Sequence, residues 1–277
     1  MPEPSPISAI PRGLCRQLSF LFTDIDDTLT TDGMLMDSSY GALWRLMRAG
    51  IRVVAVTGRP AGWCDHIARM WPVAGVVGEN GAFCFLYDRK RRVMKRRYDP
   101  RVGGLAERAK LEGMAERVFR EIPGTAWSAD QRYRISDCAI DYCEDVPPLP
   151  LEKVREICRI LEEQGARCKV SSIHINYWTG DFDKLSGVAL YLAEEGCSGQ
   201  EVSTERTLFI GDSPNDEPLF AGFAHSIAVG NLRRFLPLLT TLPEFIAQAD
   251  GAEGFCEAAD LILARRADSG RPVQGPA

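Results

Sequence analysis

Two aspartates, Asp24 and Asp26, stand two residues apart directly after the apolar run Ser19–Phe22. At the end of a buried strand that spacing lets both side chains enter one cleft while the residue between them points away. Such a pair can supply a nucleophile and a proton carrier or hold a hard cation, but it can equally cap a turn in a solvated loop. Other groups extend the choice. Thr57 and Gly58 offer a hydroxyl and backbone N–H groups at a helix start, where anions bind readily. Lys184 adds a mobile positive charge, and GDSPND contributes Asp212, Asn215 and Asp216, with Pro214 starting a helix. Two acids, oxygen ligands for a cation and donors for anionic oxygens together make a site for phosphoryl chemistry.

Each group needs an element to hold it. Ser19–Phe22 reads as a strand, Ser38–Arg48 as a helix with Leu43, Leu46 and Met47 at helical spacing and Gly50 as its stop, and Ile51–Val56 as a strand entering Thr57-Gly58-Arg59. Pro60 opens a further helix to about Met70. The rhythm returns near the C-terminus: strand Leu208–Ile210, a helix to about Phe220, strand Ser226–Val229, helix Glu253–Leu263, and a tail after Arg265. Alternating strands and helices predict an α/β fold with a doubly wound parallel sheet.

The middle breaks this pattern. Ala82–Tyr87 and Arg92–Tyr98 suggest a hairpin over a basic turn, followed by a helix over Leu105–Glu121 with Leu105, Ala109, Met114, Val118 and Phe119 near one face. Arg132–Ser136 and Cys138–Cys143 read as paired strands, Leu151–Glu163 as a helix, and Ala166–Ser171 and Ile173–Trp178 as strands. Helix-strand-strand twice over predicts an inserted α+β unit (αββαββ) spanning 82–180, with residues 1–81 and 181–277 forming the catalytic core.

Composition bounds the rest. With 277 residues, 45% hydrophobic and 26% charged, the chain can bury a sizeable core and has room for a second unit. No segment is long and apolar enough to span a bilayer. Met1–Arg12 is proline-rich and lacks a basic region followed by an apolar run, so no signal peptide is expected. Nine cysteines without CxxC pairing fit reduced thiols in a cytoplasm, Cys138 and Cys143 included. Three scattered histidines, His66, His174 and His225, argue against zinc. A net charge of −5 argues against nucleic-acid binding, and the basic run Arg89–Arg97 lacks interleaved aromatics; an exposed hairpin in the insertion, steering anions, is its expected role.

In order, DIDDT at Asp24–Thr28, TGR at Thr57–Arg59, the DK that ends in Lys184, and GDSPND at Gly211–Asp216 resemble the four-motif signature of the haloacid dehalogenase superfamily. The insertion between TGR and the lysine, and GENGAF at Gly78–Phe83, are similar to the Cof-like subclass (IIB), which includes sucrose-phosphate and mannosyl-3-phosphoglycerate phosphatases. The resemblance implies a magnesium-dependent phosphatase acting on a small phosphorylated metabolite, a sugar phosphate or a phosphoglycerate-type compound. It assigns Asp24 as nucleophile, through an aspartyl-phosphate, and Asp26 as general acid and base. Mg²⁺ would be held by the Asp24 side chain, the Asp26 backbone carbonyl and Asp212, with Asp216 as a ligand or just behind; Thr57, Gly58, Lys184 and Asn215 would hold the phosphoryl oxygens. Leu185 stands where many Cof-like chains have glycine, a departure shared with phosphosugar mutases; DIDDT in place of their DxDGT speaks against a mutase. A phosphoacceptor module would also use aspartates and Mg²⁺, yet would need neither Asp26 as a proton carrier nor so large an insertion.

Specificity falls to the insertion, which should act as a cap. His174, Asn176 and Trp178 alternate with Ile173, Ile175 and Tyr177, so one set lines the cleft or forms an outer sheet face. Arg132 and Arg134 are candidates for a second anionic group on the substrate, or ordinary surface arginines.

Overall fold

Alternation along the strand Phe20–Thr23 sends Phe20 and Phe22 to one face of a sheet and Leu21 to the other, and all three are fully buried. Burial on both faces is the mark of a parallel sheet clad by helices. The computed structural model describes residues 3–171, 173–197 and 204–267. Among these, nine strands form one sheet in the order Ser5–Pro6, Phe245–Ile246, Ser226–Ala228, Thr207–Gly211, Phe20–Thr23, Arg52–Val56, Gly75–Gly78, Phe83–Asp88, Val93–Tyr98. The first seven run parallel to their neighbours and the last two antiparallel.

Helices Arg12–Gln17, Asp37–Arg48, Ala61–Met70 and Gly251–Ala267 cover the face that carries Leu21, Val53 and Leu208. Lys184–Glu194 and Glu217–Gly222 cover the face with Phe20, Phe22 and Phe209. The helix Asp37–Arg48 forms because Ser39, Ala42, Leu43 and Leu46 recur at spacings of three and four and meet the core. It ends at Gly50, whose φ of +80° is costly for any residue with a Cβ.

The inserted unit is a four-stranded antiparallel sheet, ordered Arg167–Val170, His174–Trp178, Cys138–Asp141, Ala126–Trp127. Helices Leu105–Glu121 and Leu151–Glu163 pack on one face through Leu111, Ala115, Val118, Ile157 and Leu161 against Ile140, Ile175 and Tyr177. His174 and Asn176 point from the opposite face towards the first sheet.

Three local expectations need correction. The hairpin over the basic run is no part of the inserted sheet: Phe83–Asp88 pairs with Gly75–Gly78 and extends the nine-stranded sheet, because Phe83, Cys84 and Phe85 are apolar enough to be buried there. The basic run is pinned rather than freely solvated, with Arg96 on Asp65, Arg97 on Glu194, and Arg89 donating to the carbonyls of Arg69 and Trp71. Arg132–Ser136 is not a strand. Gln131–Tyr133 is a 3-10 turn, and the following backbone amides are taken by the Glu79 carboxylate, so the partner of Cys138–Asp141 is the shorter Ala126–Trp127. The side chain of Leu105 and the tail beyond Ala267 lie outside the described residues.

Where the first sheet hands over to the insertion, Glu79, Asn80 and Gly81 all have positive φ (43°, 56° and 104°). The kink aims the buried Glu79 carboxylate at the amides of Ala61, Ile135, Ser136 and Asp137, tying the insertion to the sheet. It also brings Gly81 against the residue before Lys184: a Cβ on Gly81 would lie 1.9 Å from the Asp183 carbonyl oxygen. Gly81→Ala should therefore lower the stability by about 2 kcal/mol or more, combining a strained φ with a backbone clash; a urea titration followed by far-UV circular dichroism measures it, and an unchanged midpoint would contradict the packing.

Candidate active site

Asp24 follows the central strand, and its amide donates to the Ile210 carbonyl (2.9 Å), which locks it beside the strand Thr207–Gly211. Asp212 and Asp216 extend from the end of that neighbouring strand. One ligand oxygen each from Asp24, Asp212 and Asp216 lies within 4.8 Å of the others, and all three residues are buried. Lys184 sits among them at the first position of the helix Lys184–Glu194, its Nζ 3.0 Å from Asp24 Oδ1 and 2.7 Å from Asp216 Oδ1. A lysine at a helix N-terminus opposes the helix dipole. Here Asp183 restores the start by accepting from the Ser186 amide, while the Ser186 hydroxyl takes the Asp183 amide.

The remaining oxygens of Asp212 and Asp216 are engaged as well. Asp212 Oδ1 accepts from Thr28 Oγ1 (3.1 Å) and its Oδ2 from Asn231 Nδ2 (3.0 Å), while Asp216 Oδ2 accepts from the Asp212 amide (3.0 Å). Burial pushes the Asp24 carboxyl up, with Asp216 and Asp26 adding repulsion and Lys184 opposing it; burial followed by Asp24 and Asp216 does the same to Asp212. Three dry carboxyls face one ammonium, so ionising all of them calls for further positive charge. The donors are all hard oxygens without imidazole or thiolate, so they fit a hard divalent cation.

Above this cluster runs a narrow cleft with about 340 Å³ of space between protein atoms, mouth included. Asp24, Asp26, Gly58, Ser213 and Asn215 form its floor, with Arg59, Arg134, Ser171, Ile173, His174 and Asn176 around it. Thr57 is buried just behind: its Oγ1 accepts from the Arg59 amide, which leaves the hydroxyl proton to donate. Asn215 Oδ1 accepts from Ser213 Oγ (2.7 Å), so its amide N–H groups remain for a ligand.

The sequence-stated residues Asp24, Asp26, Gly58, Asn215, Lys184, Asp212 and Asp216 thus converge, and Thr57 supports them. Of the insertion residues, His174, Asn176 and Arg134 reach the cleft, and two do not. Trp178 is 1% exposed, stacks on Phe182 and donates from Nε1 to the Phe182 carbonyl, because its end of the strand passes over the apolar core. Arg132 is exposed on the Gln131–Tyr133 turn, with its guanidinium against Tyr133. Arg134 is no surface arginine: fully buried, it donates to Asp137 (2.9 Å), Asp130 (3.2 Å) and the Gly58 carbonyl (2.9 Å).

Sequence reasoning gave Arg59 no role, yet it dominates the cleft. Its Nε lies 3.1 Å from both Asp26 oxygens and its other nitrogens face Asp26 (2.9 Å), Glu144 (3.2 Å) and Asp130 (3.6 Å), with Trp63 beneath the guanidinium. Glu144 arrives from the insertion, and Asn231 from the 3-10 helix Gly230–Leu238 that follows Ser226–Ala228; neither has a local sequence signal. The spacing of Asp130, Arg134 and Asp137, by contrast, is legible as a charge cluster.

The chain matches the family model described as haloacid dehalogenase-like hydrolase over residues 21–101. It is 24% identical over 216 residues to the phosphoglycolate phosphatase of Methanobrevibacter smithii, covering 77% of this chain and 86% of that one. A crystal structure from Thermoplasma acidophilum superposes with a TM-score of 0.67 at 17% identity, covering 88% of this chain and 98% of the other. The sucrose-phosphatase of a Synechocystis species, solved with sucrose and phosphate, gives 0.60 at 16% identity over 89% and 98%.

The contact with His174 and then the Arg59 guanidinium hold the Glu144 carboxyl at about 2, below its ordinary 4.5. Its contribution to stability is complete above pH 4.5 and drains away as the pH falls towards 2, since only the unfolded chain takes up a proton across that window. Glu144→Gln should flatten the acid limb of stability against pH between those values, checked by denaturant titrations at stepped pH.

Proposed function

We propose that this chain, which matches the haloacid dehalogenase-like hydrolase model over residues 21–101, is a Mg²⁺-dependent phosphatase that hydrolyses small phosphate monoesters, with a sugar phosphate or phosphoglycerate-type compound as substrate. The observation that carries this reading is the Lys184 ammonium bridging Asp24 and Asp216 in the same buried group as Asp212. That constellation meets the two demands of phosphoryl transfer, a fixed anionic nucleophile and positive charge around the oxygens. The inserted unit over residues 82–180, less the hairpin that joins the core sheet, acts as the cap.

A divalent cation held by the Asp24 side chain, the Asp26 backbone carbonyl and Asp212, with Asp216 steering Lys184, would let two anions approach each other. Asp24 attacks phosphorus in line, the phosphorus–oxygen bond to the leaving group breaks, and an aspartyl-phosphate forms. Lys184, the Thr57 hydroxyl, the Gly58 amide and the Asn215 amide receive the equatorial oxygens, where charge spreads. Asp26 gives its proton to the departing oxygen and later removes one from the water that cleaves the aspartyl-phosphate. The Arg59 fork occupies both Asp26 oxygens, so the proton-donating step requires Asp26 to turn out of that fork. Arg59 then keeps a place to rest on Glu144 and Asp130.

Phosphate release from a panel of monoesters tests the reading. Asp24→Asn should lower kcat by about 10⁴-fold or more, and Lys184→Met by about 10²- to 10³-fold, the cost of a lost oxyanion donor. Chelation should abolish turnover and added Mg²⁺ restore it. Activity that survives Asp24→Asn would reject the proposed nucleophile, and phosphate moved between positions of one sugar without release to water would indicate a mutase.

A further inference from the structure

We propose that Glu144 is a specificity-determining residue that selects esters with an uncharged, hydroxyl-rich leaving group and turns away those carrying a second anion. This rests on the phosphatase reading and narrows its two substrate classes to the sugar phosphate, against the phosphoglycerate type.

The cleft wall holds two arginines, and neither is free. Arg59 faces Asp26, Glu144 and Asp130; Arg134 faces Asp130 and Asp137. Among the described residues, the four carboxylates in contact with these two arginines outnumber them, and neither guanidinium stands ready for a carboxylate or second phosphate on the substrate. A second anion would have to displace Glu144 from Arg59 or lie beside it, in a partly dry cleft where like charges repel strongly.

Glu144 is held in place rather than left to swing. Asp141, buried at the end of the strand Cys138–Asp141, accepts the amides of Cys143 (2.9 Å), Glu144 (2.8 Å) and Asp145 (2.8 Å), winding the chain into a turn that sets Glu144 against Arg59 and His174, two residues of the cleft wall. There it meets Arg59 at 3.2 Å and the His174 Nε2 at 2.8 Å, with its side chain 30% exposed. Around it the cleft offers the Ser171 hydroxyl and the Asn176 amide. These groups suit hydroxyls, which can give a proton to Glu144 or to Asn176 Oδ1, the Asn176 Nδ2 being taken by Asp137 and the Gly58 carbonyl. Selection then works by repelling the wrong ester as much as by binding the right one.

The test compares kcat/KM for hexose monophosphates, phosphoglycolate, phosphoglycerate and para-nitrophenyl phosphate with Mg²⁺ in the full-length wild type, Glu144→Gln and Glu144→Asp. The hexose esters should exceed both acid esters by about tenfold or more in the wild type. Glu144→Gln should narrow that ratio by about tenfold, mainly through gains on the acid esters, and Glu144→Asp should keep most of it. Raising the salt should also narrow the wild-type ratio, a readout that stands even if Glu144→Gln does not fold. Acid esters that match or exceed hexose esters in the wild type, or a ratio unmoved in folded Glu144→Gln, would overturn the proposal. Para-nitrophenyl phosphate separates the two levels: if it is turned over while acid esters are preferred, the Glu144 role alone fails; if no ester releases phosphate, the phosphatase reading fails and takes this role with it.

Discussion

Asp24, Asp212 and Asp216 are forced together away from water, and their mutual repulsion is the constraint to which the surrounding structure responds. At separations under 4.8 Å each ionised pair costs roughly 3 kcal/mol or more even at an effective dielectric of about 20. Lys184 answers part of that charge, and it can do so only because Asp183 and Ser186 start its helix at the right residue. Thr28 and Asn231 settle the two oxygens of Asp212, and Asn231 is fixed in turn by accepting from the Gly251 amide and donating to the Asp27 carbonyl. Four separate segments thus close on one point, each reaching it from the carboxyl end of a parallel strand or the first turn of a helix.

A second charged network stands above the first and joins the two sheets. Arg59 and Arg134 thread between Asp26, Asp130, Asp137 and Glu144, and Asp137 also meets the Asn80 and Asn176 amides at 3.3 Å. Buried ion networks of this kind add little net stability, since desolvation offsets attraction, but removing one partner strands the others. Their value here is geometric. The same residues that attach the insertion also fix where Asp26 and the cleft-lining His174 and Asn176 lie.

Much of this was legible in the chain. Strands ending in DIDDT, TGR and GDSPND follow from apolar runs that stop at polar, turn-forming residues, and the helices Leu105–Glu121 and Leu151–Glu163 occupy the residues their apolar spacing indicates. What stayed hidden depends on contacts distant in sequence. Gly75–Gly78 is too short and glycine-rich to announce itself, and becomes a strand because Arg52–Val56 and Phe83–Asp88 flank it. Period-two patterning placed His174, Asn176 and Trp178 on one face correctly, yet could not say that the cleft ends before Trp178 and the core begins. Glu144 sits in a stretch that reads as an ordinary acidic loop; only the fold of the backbone around Asp141 brings it to Arg59.

The apolar cluster of the insertion shares no residue with either cluster of the nine-stranded sheet. Substitutions that repack Leu111, Val118, Ile157 or Tyr177 are thus absorbed on the helix-clad side of the smaller sheet, remote from the carboxylates around Lys184. Meanwhile the opposite face of that sheet carries the polar side chains of His174 and Asn176 that line the cleft. Descendants of such a chain can exchange one set of cleft-facing residues for another while their cores drift independently, so the lining of the cleft and the packing behind it are inherited as separable traits.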